Sequence, residues 1–149
     1  FVSPYVLDAR KCISYLTMEN DGAVPLELRT KIGNRIYGCD DCQLFCPWNK
    51  FSQLAALPDF KVRNNLYSSS LLELFAWSEE EFQQRLQGSP IYRIGYNSWL
   101  RNLAIGIGNS PYSAANISAL TNKYSKIESI MVQEHIQWAI AEQEKKLLN

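Results

Sequence analysis

The chain has 149 residues, enough for one ordinary domain or two small ones, and its 46% hydrophobic and 20% charged content is that of a globular protein. Fifteen basic and fifteen acidic residues cancel, and residues 1–50 balance by themselves at six of each, so no global charge calls for a polyanionic partner and any nucleic-acid site has to be a local patch. No apolar run approaches the ~18 residues of a membrane span.

The opening, FVSPYVLDARKC, has neither the basic start nor the apolar core of a signal peptide. It also lacks an initiator methionine, which predicts that the chain is a piece of a longer protein. CISYLT, rich in β-branched and aromatic residues, predicts a short strand or extended segment. VPLELRTKIGN predicts a short helix, with Pro25 at its first turn and Gly33 as its stop. In YGCDDCQLFCPWN, Pro47 bars any helix that carries the thiols from continuing. Residues 50–67, with Pro58 and RNN, predict a connecting loop. Helices follow from Ser68 onward. SSSLLELFAW offers serine caps and an apolar face of Leu71, Leu72, Leu74 and Phe75. SEEEF is a capping box of Ser78 and Glu81, with its acids at the positive end of the helix. Gly88 stops that helix, and SPIYRIG predicts a short turn. YNSWLRNLAIGIGN puts Trp99, Leu103 and Ile107 on one face with Leu100 close by, and Gly108 is predicted to end it. SAANISALTNKY predicts another short helix. In the last and longest, Ile130, Val132, Ile136, Ile140 and Leu147 lie broadly on one side, with lysines near the C-terminal end. The expected fold is mainly α: a cysteine-bearing module over residues 1–50, then a HEAT-like helical domain over 51–149.

The four cysteines carry the chemistry. Cys39, Cys42 and Cys46 crowd into eight residues, with Pro47 directly after, and Cys12 lies far upstream. A secreted disulfide scaffold spreads its cysteines over a loop-rich fold, whereas about a hundred cysteine-free residues with helical patterning follow here. Zinc sites come as paired CxxC knuckles or with histidine, and the lone His135 is nearly ninety residues away. A thioredoxin-type CxxC lacks its βαβ surroundings. A tight cysteine run closed by Cys-Pro is the iron–sulfur pattern, so residues 1–50 are expected to form a partial ferredoxin-like 4Fe-4S module. In two-cluster ferredoxins the cysteine before the proline ligates the other cluster. By that rule Cys12, Cys39 and Cys42 hold one 4Fe-4S cluster and Cys46 gives one ligand to a second. Two clusters need eight thiolates, so the missing four belong to a CxxCxxCxxxCP run outside this chain. The rival arrangement puts all four thiols on one cluster. A structural zinc-binding module and a standalone ferredoxin-like carrier are the other functions compatible with the pattern.

CISYLTMEN, RTKIGNRIYGCDDCQLFCPWNKF, LLELFAWSEEEF, IYRIGYNSWLRNLAIGIGN and EHIQWAIAEQ together resemble the C-terminal half of the epoxyqueuosine reductases, over nearly the whole chain. The resemblance implies a cytoplasmic, monomeric oxidoreductase of tRNA modification. Such an enzyme reduces epoxyqueuosine to queuosine at the wobble position of certain tRNAs, with two 4Fe-4S clusters feeding electrons from an external donor to cobalamin. Carried over residue by residue, it implies Cys12, Cys39 and Cys42 on one cluster, Cys46 on the other, and Ser14 and Asp40 near the corrin. Asp40 and Asp41 read equally as ordinary acids at a helix N-terminus. None of these residues corresponds to the family's cobalamin-binding domain with its catalytic acid, so the resemblance implies no catalytic residue among them and the chain alone is expected to be inactive.

Arg93, Arg101, Lys61 and Arg63 are candidates for a tRNA-facing surface, against the simpler reading of solvated charges. Trp77, Trp99 and Trp138 fall in apolar helical patterns and read as core, whereas Trp48, after the Cys-Pro, is expected to shield a cluster from water. His135 reads as structural or surface.

Overall fold

The computed structural model describes residues 3–58, 61–64 and 66–148. Residues 59, 60 and 65 of the expected connecting loop lie outside the described residues. Among those described there are no strands, only an isolated bridge between Ser3 and Val6.

The first half is built from short helices: α1 (Ile13–Met18), α2 (Leu26–Ile32) and α3 (Asp41–Leu44). The expectation of extended backbone at CISYLT is corrected by α1. Leu16 and Thr17 are buried there, and the Thr17 hydroxyl donates to Ile13 O at 2.8 Å, so local packing overrides β-propensity. Pro25 and Gly33 bound α2 as the sequence predicts, and Gly33 takes φ +65°.

The second half contains α4 (Leu71–Ala76), α5 (Glu79–Leu86), α6 (Gly95–Asn109), α7 (Ala114–Tyr124) and α8 (Ile130–Leu147). The Ser78–Glu81 capping box forms with both reciprocal bonds, and Ser70 with Glu73 makes another at α4. Val132 and Ile136 of α8 are buried, but Ile130 and Leu147, placed on the same face from sequence, are exposed.

α6 is the axis of the molecule and is buried continuously from Ser98 to Gly108. One side carries Trp99, Leu100, Leu103, Ala104 and Ile107 into the main core with Phe75, Phe82, Leu86, Leu120, Val132 and Ile136. Complete burial of such side chains contributes about 2 kcal/mol each. Trp77 stacks on Trp99 at 5.9 Å between ring centroids. The other side carries Ile105 into a second cluster with Leu16, Val24 and Ile32, which are all in the first half.

Gly108 does not end α6, which continues to Asn109. It is small because α8 crosses there. A Cβ at Gly108 would lie 2.8 Å from the Trp138 ring and 3.0 Å from the Ala139 Cα. At Gly106 the nearest atom would be a Leu71 methyl at 3.3 Å, which can move aside. Gly108→Ala is therefore expected to destabilise by about 2 kcal/mol, because overpacking against backbone exceeds the ~1 kcal/mol gain in helix propensity. Gly106→Ala is expected to be neutral or stabilising. Urea unfolding of both variants checks the opposite signs.

Candidate metal centre

Residues 8–18 form the first thiol-bearing segment. The Asp8 carboxylate accepts from Arg10 N–H at 3.2 Å and caps a 3-10 turn over Ala9–Lys11. Cys12 follows, half-buried, and its carbonyl starts α1 by accepting from Leu16 N–H at 2.9 Å. Ser14 sits half-buried in the first turn of α1.

Residues 36–51 form the second. Gly38 at φ +70° and Asp40 at φ +57° put left-handed backbone on both sides of Cys39 and turn the chain sharply around it. Asp40 is exposed, and its side chain makes no cap bond to α3. Its carbonyl accepts from Gln43 and Leu44 N–H, both at 2.9 Å. Cys42 is exposed on α3; Cys46 is half-buried ahead of Pro47, which opens a 3-10 turn over Pro47–Phe51. The Asn49 amide donates back to Gln43 O and closes the segment into a compact knot. Arg35 pairs with Asp41 at 2.9 Å; that carboxylate first, and the Cys39 thiol after it, raise the guanidinium above its usual value.

The two segments are joined by a small hydrogen-bond lattice. The Thr17 hydroxyl accepts from Gly38 N–H at 3.0 Å. Asn102, on α6, donates to Thr17 O at 2.8 Å and to Ile36 O at 2.9 Å. The Asn109 amide donates to Arg29 O and Gly33 O, both at 2.9 Å. Arg101 reaches Leu16 O at 3.0 Å, and Asn20 O and Gly22 O at 2.6 Å each.

Arg101 is thus fully buried, which overturns the expectation that it faces RNA. Burial lowers its pKa to about 10, with Asp21 acting the other way, so it stays charged at neutral pH. Arg93 is exposed and pairs with Glu19. Lys61 and Arg63 share a shallow pocket with Arg85. Trp77 and Trp99 are core, and Trp138 is partly buried against it. Trp48 is 75% exposed, with its ring 5.7 Å from that of Phe51. His135 is buried and structural: its Nε2 accepts from Val24 N–H at 3.1 Å and its Nδ1 donates to Met131 O at 2.7 Å.

All four thiols are free. Among the described residues, no three side chains of His, Cys, Asp or Glu gather around one point as a single ion requires. The thiolates of a cubane cluster bind different irons, so a shared point is not demanded of them. The structure brings the flanks of Cys12 and Cys39 together, through residues that sequence reasoning passed over: Thr17, Gly38 and Asn102. The signal for Asn102 was a polar residue set between Leu100 and Leu103 in the middle of a helix, where an amide has to find buried partners.

Residues 1–49 match the family described as a 4Fe-4S double cluster binding domain. The chain is 55% identical over 142 residues to an epoxyqueuosine reductase of Escherichia coli, covering 95% of this chain and 37% of that protein. It is 54% identical over 140 residues to one of Pseudomonas aeruginosa, covering 94% and 38%. It therefore spans under two fifths of the length of these relatives. The structure of epoxyqueuosine reductase from Bacillus subtilis superimposes with a TM-score of 0.85 at 31% identity, over 99% of this chain and 42% of that one. A structure of epoxyqueuosine reductase with an epoxyqueuosine-modified tRNA-Tyr stem loop matches with a TM-score of 0.55 at 25% identity, over 96% and 46%.

Proposed function

On the premise that the chain is, along nearly its whole length, a homologue of one portion of the epoxyqueuosine reductases, we propose that it is the cluster-bearing, electron-delivering portion of an enzyme reducing epoxyqueuosine to queuosine in tRNA. The carrying observation is the juncture of the two thiol-bearing segments, fastened by the Thr17 hydroxyl and the Asn102 amide. The donor set fits iron and sulfide: four free thiols, three of them half-buried, on loops whose helices are too short to hold their shape alone.

In this reading Cys12, Cys39 and Cys42 hold one 4Fe-4S cluster, and Cys46 contributes to a second whose other thiolates lie outside this chain. The clusters supply single electrons from an external donor, and cobalamin supplies the metal centre at which the epoxide is reduced. Ser14 and Asp40 fit hydrogen bonding to corrin amide arms: Ser14 follows Cys12 closely, and the Asp40 carboxylate is exposed and spare of any capping role. Lys61, Arg63 and Arg93 remain as exposed cations for tRNA phosphates. Among the described residues no helix is long and apolar enough to cross a membrane, and the proposed setting is a cytoplasmic monomer. The two halves are proposed as an iron–sulfur module over 1–50 and a helical domain over 51–149. The chain alone is not expected to reduce epoxyqueuosine.

Anaerobic reconstitution with iron and sulfide tests this. About four irons and four sulfides per chain are expected, with a buffer thiol completing the fourth corner. Cys12→Ala, Cys39→Ala and Cys42→Ala should each lose most of the iron, whereas Cys46→Ala should keep it. Loss in Cys46→Ala equal to the others assigns all four thiols to one cluster and favours the standalone carrier. Stoichiometric zinc without sulfide overturns both.

A further inference from the structure

Thr17 bonds at once to the neighbours of two proposed cluster ligands. Its hydroxyl donates to the carbonyl of Ile13, the residue after Cys12, at 2.8 Å, with Ser14 O a weaker second acceptor at 3.5 Å. The same oxygen accepts the N–H of Gly38, the residue before Cys39, at 3.0 Å. A helical threonine that bonds only backward along its own helix is common. One that also receives an amide from a loop twenty-one residues away is a bridge between two chain segments.

The bridge is backed from behind. Asn102 is fully buried. It donates both amide hydrogens across the same gap, to Thr17 O and to Ile36 O. Its oxygen accepts from Arg101 Nε at 3.1 Å and Nη2 at 3.0 Å. Arginine can only donate and carbonyls can only accept, so the orientation of the amide is fixed by its partners. Two rungs therefore span from α1 to the loop before Cys39. One reaches the residues next to the cysteines, and the other ends at Ile36, three residues before Cys39. Gly38 takes left-handed backbone at φ +70°, which favours glycine at this turn; a Cβ there would only touch Met18 Sδ, at 3.4 Å.

We propose that Thr17, held by Asn102, is a positioning residue that fixes the separation of Cys12 from Cys39, and with it the shape and retention of the iron–sulfur cluster they bind. This rests on the cluster reading of the cysteines given above. Thr17 ligates nothing itself. It sets where two thiolates stand before iron arrives, so that binding the cluster does not also have to order the two segments against each other.

The test is iron release from the reconstituted chain to a chelator, followed with the electron paramagnetic resonance spectrum of the reduced cluster and the thermal midpoint. Thr17→Val keeps the shape and removes the bridge. It is expected to release iron about tenfold faster, the equivalent of one lost hydrogen bond of about 1.4 kcal/mol, with an altered spectrum. Thr17→Ser keeps the hydroxyl and should restore both the rate and the spectrum of the parent. A merely structural role would lower the midpoint and leave the spectrum unchanged. Should Thr17→Val not fold, Thr17→Ala compared with Thr17→Ser repeats the contrast without a methyl facing the Gly38 amide. Release and spectrum unchanged on losing the hydroxyl overturn the positioning role while the cluster reading stands. A parent chain that takes up no iron and sulfide overturns the cluster reading, and the positioning role falls with it.

Discussion

Arg101→Leu is expected to lower the free energy of unfolding by about 4 kcal/mol. Among the described residues Arg101 bonds to no carboxylate, and the Asp21 charge acts on it without a hydrogen bond. Its Nη1 serves Asn20 O and Gly22 O, its Nη2 serves Leu16 O and Asn102 Oδ1, and its Nε serves Asn102 Oδ1 again. The charge is thus neutralised by carbonyl dipoles at the end of α1 and in the turn that follows. Those carbonyls lack helical partners because α1 stops at Met18. Leucine fills part of the space but strips the buried Leu16 and Asn102 oxygens of their arginine donors, at about 1–3 kcal/mol each before relaxation, whereas Gly22 O, in an exposed residue, keeps the Asn20 side-chain amide. Arg101→Lys should recover little, since three donors on one ammonium cannot span the fork that a guanidinium spans. Urea unfolding of both variants is the measurement. A loss under ~1 kcal/mol for leucine would mean that water reaches these carbonyls and that the arginine is dispensable.

The second large effect is a pH dependence centred on His135. Burial, reinforced by Arg29 and Arg101, pushes its pKa down to about 4, against the opposing pull of the Met131 carbonyl and Glu134. In the unfolded chain a histidine titrates near 6.5. Above that pH both states hold a neutral ring and the folded protein has its full stability. As pH falls towards 4 the unfolded state gains a proton that the folded state refuses, so stability declines through this window and levels off below it. The loss approaches about 3 kcal/mol. The Val24 hydrogen bond works in the same direction as burial: Nε2 must keep a lone pair for the Val24 amide, and a protonated ring would face that N–H with another. Thermal midpoints between pH 7.5 and 4 should fall, and His135→Gln, though less stable at pH 7.5, should show a much flatter profile across the same range. The Glu134 carboxylate, held low by Arg29, adds a further decline only at the acid end. A parent midpoint that is flat from 6.5 to 4 would show that water or a moved loop accommodates the charged ring.

Much of the helical half was legible because its signals are local. Ser78 and Glu81 stand three residues apart and form the box that such spacing implies. Gly33 and Pro47 end or bar helices through their own backbone properties, whichever neighbours surround them. The cysteine spacing was equally local, and a family of cluster-binding domains matches it. What escaped depended on residues far away in the chain. Gly108 resembled a helix stop, because a glycine kept small for Trp138 and Ala139 is identical in sequence to one that ends a helix. Arg101 resembled a surface cation because its acceptors are main-chain oxygens, which no side-chain pattern announces. Cys12 and Cys39 could be paired by spacing rules, but the bridge at Thr17 could not, since it needs the loop already folded against α1.

The polar flank of α6 makes its contacts with the first half through main-chain carbonyls of residues 16 to 36. Every amino acid carries that oxygen. Side chains in the loops of the thiol-bearing half can therefore drift over evolutionary time without disturbing the grip, provided the backbone keeps its path. The tolerance is one-sided, because a single change at Arg101, Asn102 or Asn109 removes two or more of these bonds at once. The instructions for shaping the cysteine loops are thus written largely outside them, more than sixty residues further along the chain, and a cysteine module transplanted without this helix would arrive without its mould.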